Sequence, residues 1–337
     1  MKPNNCDRWT TLGMSPIKIK GVQMLNLKKT IFTALMVLSL IFTGSVGAKD
    51  EIKFVSVSWT GVSVKTELGV AALKSLGYEA SNTMVSVPIA YKALETGDGD
   101  IFLGYWYPSM TNIAEKYFQR KTVVNFVANM PGAKYTLAVP TYVVQGGLKD
   151  FSDIAKFKNK LEGKIYGIEE GNDGNLVIQD MIDKNMFGLK DFKLIPSSEA
   201  GMLSQVKSYE RGEQWIVFLG WAPHFMNEII DMTYLTGSTP DTFGENNGTA
   251  TVYTNIRAGF DKEQPNVAAF LKNFKFPIPM MNQIMTILDN DHNLTTREAG
   301  LSWIKDHPEV YGPWFKDIQT TDGKNGLKAF ENYLNQN

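Results

Sequence analysis

Ile101-Phe102-Leu103-Gly104-Tyr105-Trp106-Tyr107-Pro108 decides the fold, because Val217-Phe218-Leu219-Gly220-Trp221-Ala222-Pro223 repeats its form far downstream. Each is an apolar run short enough to be a buried strand, closed by a glycine and then by a tryptophan shortly before a proline. A tryptophan so placed sits where a strand ends. In open α/β sheets that edge is where ligands bind, so two such edges from separate parts of the chain read as two walls of one cleft.

Outward from these phrases, strands and helices alternate. Ile52 to Val57 reads as a strand, Ser63 to Leu76 as a helix with Val70, Ala71, Leu73 and Leu76 among its apolar positions, and Thr83 to Val87 as the next strand. A helix begun by Ala90 to Leu94 stops at the Gly97-Asp98-Gly99-Asp100 turn, and Ile101 to Gly104 is a third strand. Strands spaced by helices of this length form a parallel sheet covered on both faces. Around Ala133 to Val144 the pattern restarts. It runs through Tyr135-Thr136-Leu137-Ala138-Val139-Pro140, a helix over 151–160, a strand from Ile165 to Ile168, and a helix opened by Gly171-Asn172-Asp173-Gly174-Asn175. Phe192 to Ile195, a helix over 198–210 and the strand ending at Trp221 complete the unit, and after Thr239-Pro240 the chain returns through Thr249 to Tyr253 to helices rich in Met, Phe and Trp. The expected architecture is α/β and bilobal, with residues 49–133 plus 240–337 in one lobe, 134–239 in the other, and a ligand cleft between them.

Residues 1–48 are expected to be a leader. Lys28 and Lys29 precede an almost wholly apolar Ile31 to Phe42, and Val46-Gly47-Ala48 offers small residues at the positions a signal peptidase reads, so cleavage is placed after Ala48. The apolar run is well under the roughly 20 residues that cross a bilayer. Residues 1–23 carry no such pattern, which makes Met14 and Met24 candidate starts. The only cysteine, Cys6, lies in the leader, so the exported chain is expected to hold itself together by packing. Of 34 basic and 35 acidic residues, 28 and 34 remain after Ala48. That acidic excess argues against nucleic acid or an anionic membrane as a partner, and the expected compartment is a bacterial periplasm.

No HExxH, GxSxG or P-loop spacing occurs, and His224, His292 and His307 are far apart, so no catalytic residue, metal or cofactor is expected. His292 and His307 lie in polar stretches, whereas His224 follows Pro223 at the cleft edge. Trp9 falls in the leader, and Trp215, Trp303 and Trp314 read as packing rings. Trp59, Trp106 and Trp221 remain, each near the C-terminal end of a predicted strand. Several indoles facing one cleft suit a cation that has no N–H to donate. A trimethylammonium group is drawn to aromatic faces by about 0.5 to 2 kcal/mol per ring, and micromolar binding needs about 8 kcal/mol in all.

Several segments in order along the exported chain carry a family resemblance. They include Ser58-Trp59-Thr60, Val85-Ser86-Val87-Pro88, Phe102 to Trp106, Gly132 to Ala138, Gly163 to Glu169, Gly171 to Asn175, Ser197-Ser198-Glu199, Gly201-Met202-Leu203 and Val217 to Trp221. As a set they resemble the choline-binding and glycine betaine-binding proteins of ABC importers. The resemblance implies the type II periplasmic-binding-protein fold. It also implies an aromatic box of Trp59, Trp106, Tyr135 and Trp221, with Asn172 binding the polar end of the ligand. From its position alone, Asn172 also reads as a helix cap. Choline binders of this kind have an aspartate two residues after the first tryptophan, where this chain has Gly61. Losing that carboxylate removes attraction for a pure cation and repulsion toward a ligand carboxylate, which favours glycine betaine over choline. The expected protein is a monomeric periplasmic receptor that hands a quaternary ammonium compound to an inner-membrane permease. Receptors for carnitine or trimethylamine oxide are alternatives, and an exported enzyme acting on choline or betaine derivatives is the alternative of another class.

Overall fold

The computed structural model describes residues 51–336, so the leader and signal reading lie outside the described residues. Among the described residues nine strands form one hydrogen-bonded sheet: β1 (Ile52–Ser56), β2 (Ala80–Met84), β3 (Ile101–Tyr107), β4 (Val123–Pro140), β5 (Lys164–Tyr166), β6 (Lys193–Ile195), β7 (Phe218–Ala222), β8 (Met232–Tyr234) and β9 (Thr249–Arg257). Their order is β2-β1-β3-β9-β4-β7-β5-β6, with β8 paired to β4. The outer trios β2-β1-β3 and β7-β5-β6 are each parallel, as expected for strands joined by helices, while β9 and β4 run antiparallel to their neighbours. The fold is bilobal α/β. A first half is built on β1 to β3, a second on β5 to β7, and the paired strands β4 and β9 lie between them in the path.

β4 is 18 residues long and changes partner along its length. Val123 to Lys134 pairs with β9, and Lys134 to Ala138 pairs with β7. Sequence reading restarts the pattern only around Ala133, although β4 begins at Val123 and runs through Pro131-Gly132. The strand passes this point by a register shift between Pro131 and Ala133, with Gly132 at φ +77°, a left-handed conformation glycine adopts without a side-chain clash.

Among the helices are α1 (Thr60–Ser75), α2 (Val87–Thr96), α3 (Asp173–Asp183), α4 (Glu199–Arg211), α5 (Ile278–Asn290), α6 (Thr296–Lys305) and α7 (Gly326–Gln336). α1 begins three residues before its predicted start, with Trp59 at its N-cap position and Thr60 and Gly61 inside it. Local propensity disfavours those residues, but their position is set by a tertiary contact from Glu199 described below. The predicted strand from Thr83 to Val87 is displaced, because Val87 opens α2 with Pro88 in its first turn, where the missing N–H costs nothing. The helix expected over 151–160 is only Phe151–Ile154, continued by a 3-10 turn at Ala155–Phe157.

The C-terminal helices α5, α6 and α7 pack on α1. Trp314 is 1% exposed, meets Phe274 edge-on at 4.7 Å, and donates its indole N–H to the Lys275 carbonyl at 3.0 Å. Trp215 lies outside β7 and packs on Phe157 at 4.9 Å. Both are packing rings. Among the described residues no helix is long and apolar enough to cross a membrane.

Candidate functional site

β3 and β7, the strands of the repeated phrase, place their tryptophans one residue before their last positions, and each phrase ends in a cis proline peptide, Tyr107-Pro108 and Ala222-Pro223. Trp221 lies directly opposite Tyr135 in the β4–β7 ladder, which fixes the two rings edge to face at 6.1 Å. Trp106 approaches the same tyrosine at 5.6 Å from the first half. Trp59, at the entry to α1, completes the group. All four rings named from the sequence line one cavity, together with Gly61, Val62 and Lys65 of α1, Met130, Ile168, Asp173, Pro223 and Met281.

The cavity is small. Trp59, Tyr135 and Trp221 are each 6 to 7% exposed. The volume open to the centre of a water-sized sphere is about 30 Å³, against the 10 to 15 Å³ or so that one water requires. The space is larger than one water needs and small overall.

Four hydrogen bonds join the halves around it. The Trp59 indole N–H donates to Glu169 Oε1 at 2.7 Å, Ser109 Oγ donates to Asp173 Oδ2 at 2.5 Å, and Thr60 donates to Glu199 from both its backbone N–H and its hydroxyl. A carboxylate at the indole N–H also pushes electron density into that ring, which strengthens the negative face a cation meets. Burial raises the Glu169 carboxyl above its ordinary range, and its Oε2 is buried without a hydrogen-bond partner. Burial likewise pushes Asp173 up to about 7, although Ser109 and Asn172 both donate to it.

Asn172 is 1% exposed and is not among the residues lining the cavity. Its Oδ1 accepts from the Tyr135 hydroxyl at 3.2 Å and from the Asn175 N–H at 3.1 Å, and its Nδ2 donates to Asp173 Oδ1 at 3.1 Å. It therefore combines the helix-cap role with that of holding a box ring and the acid beside it. Gly174 lets the tyrosine come this close, because a Cβ there would run into its hydroxyl.

His224 is fully buried and packs on Trp221 at 4.9 Å without lining the cavity. Its Nδ1 accepts from the Met226 N–H, which leaves Nε2–H to donate to Glu199 at 3.0 Å. His292 is exposed, and His307 stacks on Trp303 at 3.6 Å, far from the box in sequence and packing. Among the described residues no cluster of His, Cys, Asp and Glu could hold a metal.

Lys65, Asp173, Glu169 and Glu199 are the site residues that sequence reading did not single out. Glu169, Asp173 and Glu199 each lie in a segment that carries the family resemblance, Gly163 to Glu169, Gly171 to Asn175 and Ser197-Ser198-Glu199, whereas no sequence signal points to Lys65.

The comparisons with known proteins agree with this geometry. The family model described as the substrate binding domain of the ABC-type glycine betaine transport system, OpuAC, matches residues 50–306. The solved structure of an ABC-transporter choline binding protein in complex with choline is 44% identical, with a TM-score of 0.82, covering 85% of this chain and 99% of that one. Lactococcal OpuAC, closed on glycine betaine, is 26% identical with a TM-score of 0.69, covering 79% of this chain and 99% of its own. The glycine betaine/carnitine transport binding protein GbuC of Listeria monocytogenes is 26% identical over 159 residues, 47% of this chain and 51% of that protein. The chain belongs to the family of substrate-binding domains of ABC-type glycine betaine transport systems.

Proposed function

We propose that this protein captures a quaternary ammonium compound between Trp59, Trp106, Tyr135 and Trp221 and delivers it to an ABC permease in the inner membrane. Glycine betaine is the favoured ligand and choline the next. The protein acts in the periplasm as a monomer and performs no chemical step. The observation that carries this reading is the convergence of four aromatic rings, from both halves of the chain, on one small cavity.

The lobes comprise residues 49–133 plus 240–337 and residues 134–239. Opening bends the molecule at Ala133–Lys134, where β4 exchanges β9 for β7. Asn172 belongs to the binding site through the two groups it holds, the Tyr135 hydroxyl and the Asp173 carboxyl. The choline-bound and betaine-bound relatives support a ligand of this class, and Gly61 supports the preference for a zwitterion.

Titration with glycine betaine, choline, carnitine and trimethylamine oxide tests the reading. Binding is expected to change tryptophan fluorescence and raise the melting temperature, since a ligand at a hundred times its Kd stabilises by about 2.7 kcal/mol. Unchanged fluorescence and melting with all four would remove it.

A further inference from the structure

Lys65 is a lysine buried where lysines are rarely buried. It is 2% exposed and lines the cavity on α1. Its ammonium donates to two neutral acceptors, the Leu103 carbonyl at 2.7 Å and Asn129 Oδ1 at 3.2 Å, with the Phe276 ring 5.5 Å away. Among the described residues no carboxylate pairs with it. A buried ammonium without a counter-charge is costly, and burial alone pulls its pKa down to about 7.

Gly61 lies one turn earlier on the same face of α1 and lines the same cavity. A Cβ there would meet only the ends of Met285 and Met281, at 3.7 and 3.9 Å. This corner is therefore walled by thioethers, which need no hydrogen bond, and its one charged group is Lys65. The opposing wall, at the start of α3, carries Asp173. The cavity thus has a basic side from the first half and an acidic side from the second.

Resting on the quaternary ammonium reading above, we propose that Lys65 is the specificity-determining residue of the box. It receives the anionic group of a zwitterionic ligand in the space left by Gly61, while the methylated head lies against the rings on the Asp173 side. A ligand with a head group and no anion leaves the lysine without its counter-charge. The competing role for Lys65 is purely structural, tying α1 to β3 and β4 through Leu103 and Asn129.

Calorimetric titration of the full chain with tetramethylammonium, choline and glycine betaine separates the two roles. The variants are Lys65→Met and Lys65→Gln, the second keeping donors for Leu103 and Asn129 while removing the charge. Both are expected to weaken glycine betaine by about tenfold or more while tetramethylammonium and choline hold or tighten. Equal weakening of all three ligands, or an unchanged betaine affinity in Lys65→Gln, would overturn the assignment and leave the aromatic box standing. A wild-type protein that binds none of the three would overturn both.

Discussion

The wall of the cleft built from α1 and the end of β3 donates hydrogen bonds across the gap, and the wall built from the starts of α3 and α4 accepts them. Trp59, Thr60 and Ser109 supply N–H and O–H groups, whereas Glu169, Glu199 and Asp173 supply carboxylate oxygens. The aromatic rings, by contrast, are contributed by both walls. In the proposed binding mode, affinity for a cationic head is shared between the halves, while the hydrogen bonds between the walls are polarised. Asp173 and Glu199 are buried and Glu169 is half-buried, and separating the walls would exchange their neutral donors for water.

Removing a ring should break the shared part of that arrangement most severely. Trp221→Ala takes away the face packed against Tyr135 and His224 and should weaken glycine betaine binding by about 100-fold or more. Fluorescence titration measures this. A change within a few-fold would show that the ring is scaffold and that the wall opposite it does the binding.

The polarised part should yield less. Glu199→Ala removes the acceptor for the Thr60 N–H and hydroxyl and leaves His224 Nε2–H without its partner. About tenfold weaker binding is expected, since a buried hydrogen bond to a charged group contributes about 1.5 to 3 kcal/mol and part of that is recovered as the open state rehydrates. Small-angle scattering of the ligand-bound variant should show a larger open fraction than wild type. An unchanged affinity would mean that the halves are held together by the rings alone.

The two walls should also respond to pH in opposite senses. Burial raises Asp173 from 3.8 to about 7, and Glu169 in the same direction, so the folded chain keeps these protons to higher pH than the unfolded chain. The charging of Asp173 costs stability progressively from about pH 4 to about 7, and that of Glu169 acts in the same direction. Lys65 is lowered from 10.5 to about 7, so the folded chain sheds that proton first and stability recovers from about pH 7 upward. The ligand-free protein should therefore melt lowest near pH 7, and Asp173→Asn should flatten the acid side of the dip. A melting temperature flat from pH 5 to 9 in wild type would contradict the burial of both groups.

The aromatic half of the comparison was legible in the sequence, and the polarised half was not. A short apolar run ending in glycine and tryptophan, written twice, is a local signal, and it located β3, β7 and two of the box rings. Trp59 followed from its place after β1, and Tyr135 came from the family resemblance, because a tyrosine within a strand looks like any half-buried ring. Lys65 stands in Ser63-Val64-Lys65-Thr66, where a lysine in a helix reads as a solvated face. It is buried because its face of α1 lies against β3 and β4, where the Leu103 carbonyl and Asn129 accept from its ammonium. Glu199 reads as a favourable acid in the first turn of α4, and nothing local reveals that the start of α1 lies within reach of it. Pairing across a cleft is a property of the closed tertiary structure, and it leaves no period in the sequence.

The smallest effect on binding should come from a tryptophan outside both walls. Trp303 is 9% exposed on α6, stacks on His307 and donates to Gln283 at 2.7 Å, and none of these residues lines the cavity. Trp303→Phe keeps most of the ring area and loses the hydrogen bond, a change of about 1 kcal/mol. In a domain of this size that lowers the melting temperature by about 2 to 4 °C. The Kd for glycine betaine should stay within error, because the lost contact is the same in the open and closed states and cancels from the closure equilibrium. A Kd that moved in step with the melting temperature would mean that α6 shifts α1, and with it Trp59 and Lys65. The separation between rings that bind and rings that pack would then no longer hold.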